Sequence, residues 1–521
     1  MTLLRIENLT VALPPGAERP HAVSNVSISL NAGEIVCIVG ESGSGKSVSV
    51  AALMGLLPTA LKVTAGQILL DGVNVLAFSQ AQLRDMRGAR IGMIFQEPMT
   101  ALNPLMRVRD QVAEIMQVHG RPVGNRVLEL LEAVGLPDPE KLARAYPHQL
   151  SGGQRQRVMI AIALALEPAI LIADEPTTAL DVTTQMQILH LIREIQRRRG
   201  MGVLFITHDF GVVAEIADRV VVMQKGVVVE TGDVTEVLQN PQHPYTRQLI
   251  AAVPNTTPEP RPAPEGRPIL ELIGVSKTYR GRGAIPAVNE ANLRIGRGET
   301  LGLVGESGSG KSTLARTIVR LVIPETGAIR FHETDLRPLS RGQWKPFRKR
   351  IQMVFQDPAA SLNPRRRVGD IIAEGPIAHG EHRDAARARA VELLRLVQLD
   401  PGAADRFPHE FSGGQRQRIG IARALAMEPE LLIADEPVSA LDVSVQAQVL
   451  ELLEDLRVRL NLTMLFITHD LRVAAQICDR VAVMRRGIIV EQGPTAEVFA
   501  NPTHDYTRAL LDSIPGRPRR G

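Results

Sequence analysis

Short apolar segments alternate with longer amphipathic segments along the whole chain. Runs such as EIVCIVG at 34–40, AILIADEP at 169–176 and VLFITHD at 203–209 are mainly apolar. The stretch VTTQMQILHLIREIQRRR at 182–199 repeats apolar residues with helical spacing. Strands that are apolar throughout are typical of a parallel sheet flanked by helices. The pattern therefore predicts an α/β fold.

This pattern occurs twice. GESGSGKS stands at 40–47 and again at 305–312, and SGGQRQR stands at 151–157 and 412–418. IADEP recurs from Ile172 and Ile433, and FITHD recurs from Phe205 and Phe466. Such self-similarity over a long separation indicates two copies of one domain, arranged head to tail.

Residues 254–268 separate the two copies. They contain six prolines among fifteen residues, with polar neighbours and almost no apolar side chains. This composition is typical of an extended polyproline-type spacer. We therefore place the first domain at 1–253, the linker at 254–268 and the second domain at 269–521.

Composition excludes several classes of protein. With 521 residues and 44% hydrophobic content, the chain can form full cores and is not a disordered protein. A net charge of +4 gives no basic excess that would imply nucleic acid as a partner. The two cysteines, Cys37 and Cys478, are too few for a disulfide framework, a structural zinc site or a cysteine-ligated iron–sulfur cluster.

The N-terminal segment lacks the basic start and long apolar core of a signal peptide. The longest apolar run, at 158–166, ends at Glu167 and is much shorter than the ~20 residues needed to cross a bilayer. We therefore expect any membrane role to be peripheral.

The repeated GxxxxGKS string follows an apolar strand and precedes a helical pattern. Its glycines allow backbone N–H groups to surround a β-phosphate, and the following helix N-terminus favours negative charge. We expect Lys46 and Lys311 to reach the β- and γ-phosphates, and Ser47 and Ser312 to bind Mg²⁺. The predicted ATP-binding loops are Gly40, Glu41, Ser42, Gly43, Ser44, Gly45, Lys46 and Ser47, and Gly305, Glu306, Ser307, Gly308, Ser309, Gly310, Lys311 and Ser312.

Acidic and histidine residues follow other apolar strands, at the edge where parallel sheets bind ligands. Asp174 and Asp435 suit Mg²⁺, and the adjacent Glu175 and Glu436 suit a general base for water attack on the γ-phosphate. His208 and His469 end the next apolar run and can hydrogen-bond the γ-phosphate. For each Asp-Glu pair, the alternative is two solvated acids that begin a loop. For each histidine, the alternative is an ordinary core or surface residue.

The SGGQ segments precede a second helical pattern in each copy. A helix N-terminus there is an anion site without a phosphate in its own domain, which suggests a phosphate delivered by another domain. A plain serine N-cap followed by two glycines is the alternative. The residues concerned are Ser151, Gly152, Gly153 and Gln154, and Ser412, Gly413, Gly414 and Gln415.

The order GxxxxGKS, Gln96, LSGGQ, ILIADEP, ALD at 179–181 and THD at 207–209 resembles the nucleotide-binding domain of ABC ATPases. The second copy matches with Gln356, FSGGQ, LLIADEP, ALD at 440–442 and THD at 468–470, and Phe411 replaces Leu150. The resemblance implies an α/β fold of two tandem P-loop ABC ATPase domains. Each would have a RecA-like parallel-sheet core, a helical subdomain and an antiparallel β subdomain. It also implies ATP and Mg²⁺ as cofactors and hydrolysis of ATP to ADP and phosphate.

Further residue roles follow from this resemblance. Gln96 and Gln356 would act in catalysis and bind Mg²⁺, and an aromatic after the first strand would stack on adenine. Tyr279 fits that place in the second copy, whereas Leu13 occupies it in the first. The loop at 40–47 would be completed by 412–415, and the loop at 305–312 by 151–154. The resemblance thus implies two working ATP sites in an intramolecular pseudo-dimer.

Finer strings resemble the ATPases of peptide, dipeptide and nickel importers, in the form with both ATPases fused. These are EPMTALNP at 97–104, DPAASLNP at 357–364, HPYTRQLIAAVP at 243–254 and HDYTRALLDSIP at 504–515, where Asp505 replaces a proline. The implied partners are two transmembrane permease subunits and, through them, an extracytoplasmic solute-binding protein. The implied location is peripheral, at the cytoplasmic face of the plasma membrane.

The solute implied is a short peptide or a peptide-like molecule, with a nickel chelate as the alternative. A soluble twin-ATPase of translation is another alternative, but such proteins place a long charged helical arm between their domains. The basic clusters at 345–350 and 365–367 are more typical of solvated faces than of RNA sites. We therefore expect no nucleic-acid partner.

Overall fold

The computed structural model describes residues 1–17, 19–177, 180–254, 256–261, 266–279, 285–439 and 441–515. The chain divides into two compact units, Met1–Leu180 with Thr184–Val253, and Asp181–Thr183 with Pro254–Gly521. The linker span 254–268 stays a prediction, and residues 255 and 262–265 within it lie outside the described residues.

The first unit combines an antiparallel sheet, a mainly parallel sheet and a group of helices. Its strands are β1 Thr2–Ala12, β2 His21–Asn31, β3 Ile35–Val39, β4 Lys62–Leu70, β5 Val73–Asn74, β6 Ile91–Ile94, β7 Ile170–Asp174, β8 Gly202–Thr207, β9 Arg219–Gln224 and β10 Val227–Asp233. Its helices are α1 Lys46–Leu53, α2 Gln80–Met86, α3 Pro98–Ala101, α4 Val108–Val118, α5 Arg126–Ala133, α6 Pro139–Ala143, α7 Gly152–Leu164, α8 Val182–Arg199, α9 Phe210–Ile216, α10 Val234–Gln239 and α11 Pro244–Ala251.

The strand order explains the apolar runs. The antiparallel sheet has the order β2-β1-β4-β5, and the other sheet has the order β10-β9-β3-β8-β7-β6, parallel except at its β10 edge. In β7, Leu171 and Ala173 pack with the helices α4 to α7, while Ile170 and Ile172 pack toward the antiparallel sheet. Because both faces of the strand are buried, both sets of side chains must be apolar.

The second unit repeats this architecture. Its strands are β11 Leu270–Tyr279, β12 Ile285–Ile295, β13 Thr300–Val304, β14 Thr326–Phe331, β15 Thr334–Asp335, β16 Ile351–Val354, β17 Leu431–Asp435, β18 Thr463–Thr468, β19 Arg480–Arg485 and β20 Ile488–Pro494. Its helices are α12 Lys311–Ile318, α13 Arg341–Arg350, α14 Pro358–Ser361, α15 Val368–Ala378, α16 Arg383–Leu396, α17 Gly413–Leu425, α18 Val443–Leu460, α19 Leu471–Ile477, α20 Thr495–Ala500 and α21 Asp505–Asp512.

The sheets of the second unit have the orders β12-β11-β14-β15 and β16-β17-β18-β13-β19-β20. The helices α14 to α17 lie between β16 and β17 in the chain, as α3 to α7 lie between β6 and β7. Each unit therefore has the predicted parallel-sheet core, helical portion and antiparallel sheet. Among the residues described, no helix combines the length and apolar character that a bilayer crossing requires.

Candidate functional site

The loop at 40–47 connects β3 to the N-terminus of α1 and requires glycine at two positions. Gly40 has φ +150, and a Cβ there would lie 2.2 Å from the carbonyl oxygen of Met223. Gly45 has φ +100, and its Cβ would lie 2.5 Å from Cγ1 of Val23. The loop at 305–312, between β13 and α12, has the same conformation, with φ +151 at Gly305 and +108 at Gly310. Only glycine accepts this backbone and this close approach.

The lysine of each loop is buried and turned back onto the start of the loop. Lys46 Nζ donates to the carbonyl oxygens of Gly40 and Glu41 at 2.7 and 2.9 Å. Lys311 Nζ makes the equivalent bonds to Gly305 and Glu306, both at 2.8 Å. Burial lowers the pKa of Lys311. A buried ammonium among backbone groups at a helix N-terminus fits a phosphate ligand.

A serine and an aspartate meet beside each lysine. Ser47 Oγ donates to Asp174 at 3.1 Å, and Ser312 Oγ donates to Asp435 at 3.0 Å. Burial raises the pKa of both carboxyl groups, and the serine hydrogen bonds oppose that shift. These hydroxyl and carboxylate oxygens fit Mg²⁺, a hard cation that prefers oxygen ligands.

Mg²⁺ in nucleotide sites takes few protein ligands, because substrate phosphates and water complete its coordination. The described ranges contain no cluster of three or more His, Cys, Asp or Glu side chains that could hold a metal ion. When bound, the ion neutralises charge on the β- and γ-phosphates.

The glutamate after each aspartate has an unusual backbone. Glu175 and Glu436 adopt left-handed backbone conformations, with φ angles of +45° and +48°. Such a conformation costs a non-glycine residue roughly 1–2 kcal/mol. The N–H of each glutamate donates to the strand beside it, Glu175 to Ile206 and Glu436 to Ile467, both at 3.0 Å. This bond holds each glutamate beside the neighbouring strand, just beyond the end of its own strand.

A glutamine and a histidine from two different segments lie against each glutamate. Gln96 Nε2 donates to Glu175 at 2.9 Å, and Gln356 Nε2 donates to Glu436 at 2.9 Å. The imidazole Nδ1 of His208 lies 3.3 Å from Glu175, and that of His469 lies 3.1 Å from Glu436. The structure thus places the predicted glutamine, glutamate and histidine together in both units.

Electrostatics couple the second pair. Burial alone would raise the pKa of Glu436, but the hydrogen bond and charge of His469, together with Lys311 and Ser439, outweigh it and lower that pKa. Burial alone would lower the pKa of His469, but Glu436 and, to a smaller extent, Asp470 outweigh it and raise that pKa. The carboxylate therefore stays ionised and can accept a proton, while the imidazole can carry one.

The SGGQ segments act as helix caps within their own units. Ser151 Oγ accepts the N–H of Gln154 at 3.2 Å, while Gln154 Oε1 accepts the N–H of Ser151 at 3.0 Å. Ser412 and Gln415 form the same capping box before α17. The plain N-cap interpretation is therefore correct within each unit, and a phosphate role stays a prediction.

The two glycines of each SGGQ segment differ in their surroundings. A Cβ at Gly153 would lie 2.5 Å from Thr184 Cγ2, and one at Gly414 would lie 2.3 Å from Val445 Cγ1. A Cβ at Gly152 or Gly413 meets only an ordinary contact, at 3.7 or 3.6 Å. Packing within the unit thus explains why the second position of each pair is glycine, and it does not explain why the first position is glycine.

The predicted adenine-stacking position differs between the units. Tyr279 is 48% exposed, whereas Leu13 is partly buried and packs on the core. Leu150 and Phe411, where the two copies depart, are both buried core residues. Ala179 and Ala440 of the ALD strings lie outside the described residues.

One contact was not foreseen from the sequence. Tyr245 and Tyr506, in the helices α11 and α21, reach the loops at 40–47 and 305–312. The only sequence signal was the recurrence of YTR near the end of each copy.

Compared with known protein families, the sequence matches the family described as "ABC transporter" at residues 23–178 and 288–439. The chain belongs to the ABC transporter family. Another family, "Oligopeptide/dipeptide transporter, C-terminal region", matches residues 229–282 and 490–520 of this ABC protein. Both the resemblance to ABC ATPases and the predicted tandem architecture are confirmed.

Similar proteins match the ABC protein over nearly its full length. The peptidoglycan transport ATP-binding protein YejF of Agrobacterium fabrum (strain C58 / ATCC 33970) is 49% identical, with coverage of 98% of this chain and 96% of that protein. The glutathione import ATP-binding protein GsiA of Salmonella choleraesuis (strain SC-B67) is 48% identical, covering 99% and 91%. GsiA of Escherichia coli (strain K12) is 48% identical, covering 98% and 89%. As an ABC ATPase, the chain hydrolyses ATP with Mg²⁺ to drive transport.

Proposed function

We propose that this ABC ATPase is the energy-coupling subunit of an importer for short peptides or peptide-like solutes. The observation that carries the proposal is similarity over almost the whole chain to ATP-binding proteins named for peptidoglycan transport and glutathione import. The match of both copies to an oligopeptide and dipeptide transporter region supports it. The translation and nickel-chelate alternatives have no comparable support.

Within each ATP site, we assign Glu175 and Glu436 as general bases that accept a proton from the attacking water. The glutamine and histidine beside each glutamate would orient that water and the γ-phosphate. Support comes from the convergence of these groups within 3.3 Å of the glutamate in the first unit and within 3.1 Å in the second. The lysines would bind the β- and γ-phosphates, and the serine–aspartate pairs would hold Mg²⁺.

The pairing of each phosphate loop with the SGGQ segment of the other copy follows from the family resemblance. A Cβ at Gly152 or Gly413 would meet only an ordinary contact within its own unit, so both positions suit substitution. We expect Gly413→Val to slow hydrolysis that depends on Glu175, and Gly152→Val to slow hydrolysis that depends on Glu436. To test the pairing, Gly413→Val is measured in a chain that also carries Glu436→Gln, and Gly152→Val in a chain that also carries Glu175→Gln. The pairing is wrong if each glycine variant instead slows the hydrolysis that depends on the glutamate of its own copy.

We further propose that two permease subunits bind this chain at the cytoplasmic face of the plasma membrane and receive solute from an extracytoplasmic binding protein. In this arrangement the solute contacts the permeases and the binding protein and never this chain. Solute would then change ATP turnover only by biasing conformational states through the permeases. The isolated chain should therefore show no response to solute.

Reconstitution tests the solute class. The chain, its co-purifying permeases and the binding protein are placed in liposomes, and ATPase stimulation and uptake are measured. The solutes compared are di- to octapeptides, glutathione, sugars and a nickel chelate. We expect stimulation and uptake with peptides or glutathione. The double variant Glu175→Gln with Glu436→Gln serves as the control that binds ATP without turnover.

Several outcomes would contradict the proposal. Stimulation by sugars alone would exclude a peptide importer, and stimulation by the nickel chelate alone would favour metal import. A full solute response from the isolated chain would show that solute binds this chain. Co-sedimentation with ribosomes in place of permeases would favour the translation class.

A further inference from the structure

A tyrosine hydroxyl contacts the phosphate loop in each unit. The Glu41 N–H donates to Tyr245 Oη at 3.1 Å, and the Glu306 N–H donates to Tyr506 Oη at 3.1 Å. Both tyrosines are buried. The partners are 204 residues apart in the first unit and 200 apart in the second. The same long-range contact therefore forms independently in both copies.

Each tyrosine is positioned by hydrogen bonds that begin at a glutamate on the preceding strand. In the first unit, Glu230 of β10 accepts the N–H groups of Gln242 and His243 at 2.7 and 3.1 Å. His243 Nδ1 then caps α11 by accepting the N–H of Tyr245 at 3.2 Å. The glutamate thus orders the turn that starts the helix and sets the direction of the tyrosine.

The second unit uses the same contacts with a different helix start. Glu491 accepts the N–H groups of Thr503 and His504 at 2.7 and 3.1 Å, and His504 Nδ1 accepts the N–H of Tyr506 at 3.1 Å. Asp505 occupies the place of Pro244 at the first helical position. Proline and an acidic residue both suit the start of a helix, so the replacement preserves the tyrosine.

The tyrosine and the lysine hold one peptide plane from opposite sides. The carbonyl of Gly40 and the N–H of Glu41 belong to the same planar trans peptide group and point in opposite directions. Lys46 Nζ binds that carbonyl at 2.7 Å, and Tyr245 Oη binds that N–H at 3.1 Å. Rotation of this peptide would break both bonds.

The Gly305–Glu306 peptide is held in the same way in the second unit. Lys311 Nζ binds its carbonyl at 2.8 Å, and Tyr506 Oη binds its N–H at 3.1 Å. Burial raises the pKa of Tyr506 to about 12, so its hydroxyl stays neutral at ordinary pH. A phenylalanine would fill the same apolar space without an oxygen to bury, so the oxygen has a role beyond packing.

We propose that Tyr245 and Tyr506 are positioning residues of the ATPase, which orient the first peptide of each phosphate loop and, through it, the lysine that binds the nucleotide phosphates. This inference rests on the phosphate role proposed for the two loops. The tyrosines act through the loop and take no part in proton transfer. Their loss should therefore weaken nucleotide binding more than it slows turnover at saturating ATP.

The test compares Tyr245→Phe, Tyr506→Phe and the double variant with the wild-type chain. We expect the Kd and KM for MgATP of the double variant to rise roughly two- to tenfold, the usual range for loss of one hydrogen bond, with kcat within about twofold. Tyr146→Phe is the matched control, because the second copy carries Phe407 at the corresponding place. This control should leave nucleotide affinity unchanged.

Hydrogen–deuterium exchange without nucleotide supplies a local readout. Tyr245→Phe should speed exchange in the segment 40–47 and leave 305–312 unchanged, and Tyr506→Phe should do the reverse. If the tyrosines only anchored their helices, the temperature of thermal unfolding would fall while Kd and loop exchange stayed at wild-type values. That result would overturn the inference, as would an equal rise in Kd with the Tyr146→Phe control.

Lysine variants separate this inference from the proposal on which it rests. If Lys46→Ala and Lys311→Ala leave MgATP binding intact, the phosphate role of the loops is wrong. If the lysine variants lose binding while both Tyr→Phe variants bind normally, the phosphate role stands and the positioning role is wrong. Loss in the lysine variants with a smaller, graded loss in the Tyr→Phe variants supports both.

Discussion

The two units agree closely around the proposed catalytic groups and differ a short distance away. The serine–aspartate distances are 3.1 and 3.0 Å, and both glutamine–glutamate distances are 2.9 Å. Both glutamates have left-handed backbones, and both phosphate loops share the same glycine conformations. The chemistry assigned to each site is thus the same in the two copies.

A surface charge cluster shows how the units differ. In the first unit, Arg90 before β6 pairs with Asp71 after β4. In the second unit, Arg350 before β16 pairs with Glu430 before β17, and His332 occupies the position after β14. The arginine keeps its place while its acidic partner moves to another strand end. Pairing of the arginine is thus common to the two units, whereas the position of its acidic partner is not.

The predicted adenine-stacking position also differs. Tyr279 ends β11 and is exposed beside Lys277, whose Nζ lies 5.9 Å from the ring centroid. The first unit has Leu13 there, and its Arg19 donates to the carbonyl of Gly43 at 2.5 Å. The residues around the two phosphate loops are thus more alike in the two units than the residues at the predicted adenine positions.

The largest expected effect tests the equivalence of the two catalytic centres. Glu175→Gln with Glu436→Gln should slow hydrolysis about 100-fold or more, the range for loss of a general base, with ATP binding intact. Each single variant should also strongly slow ATP hydrolysis by the assembled complex, and the two single variants should have equal rates. Steady-state ATPase rates and nucleotide titrations provide the measurement. A single variant with an unchanged rate would show that its site is not catalytic as proposed.

A smaller effect is expected where the units differ in the adenine region. Tyr279→Ala should weaken ATP binding at the second site by roughly two- to tenfold, because aromatic stacking contributes about 0.5–1.5 kcal/mol. Leu13→Ala should leave affinity at the first site unchanged, and Leu13→Tyr should increase it. Nucleotide titration of each variant measures these changes. Unchanged affinity after Tyr279→Ala would remove the stacking role.

The smallest effect concerns the charge cluster at Glu430. Arg350, with its hydrogen bond to Glu430, holds the pKa of this carboxyl below its ordinary value of 4.5, against the effect of burial, and His332 adds to the lowering. Arg297 lies 3.8 Å away. Since these side chains are about one-third exposed or more, Glu430→Ala should lower the free energy of unfolding by less than about 1 kcal/mol.

The pH dependence of that effect has a definite sign. Because the folded-state pKa is lowered, the contribution of Glu430 is complete above about pH 4.5 and is lost as the pH falls through the folded pKa. Adding His332→Asp to Glu430→Ala should restore the partner geometry of the first unit and recover the stability. Urea unfolding at pH 7 and pH 3.5 measures both effects. An equal loss at both pH values would rule out the ionic contribution.

Much of the fold and of the candidate site follows from the sequence because the signals are local. An all-apolar strand followed by Asp174 and Glu175 predicts a sheet edge with two carboxylates, and GESGSGKS predicts a phosphate loop. Since the carboxyl ends of parallel strands lie at one edge, His208 is expected near Glu175. In the structure His208 Nδ1 lies 3.3 Å from Glu175, while the phosphate role of the loop stays a prediction.

Other features depended on tertiary structure. The left-handed backbone of Glu175 arises where a bond to the neighbouring strand holds the peptide beyond the strand end. The different requirements at Gly152 and Gly153 depend on which atoms of Leu180 and Thr184 approach them. Neither fact has a counterpart in residue spacing, because each is a distance between elements.

The sequence by itself determined the duplication, the α/β class, and the identity and order of the phosphate-site residues, since these depend on short strings with their own conformational preferences. Only the tertiary structure showed that Tyr245 and Tyr506 hold the loops at 40–47 and 305–312. These partners are about 200 residues apart, and their meeting is decided by packing of the whole sheet and its helices. A hydrogen bond requires the donor and acceptor to lie within a few tenths of an ångström of their preferred separation. Only the packed fold specifies positions that closely.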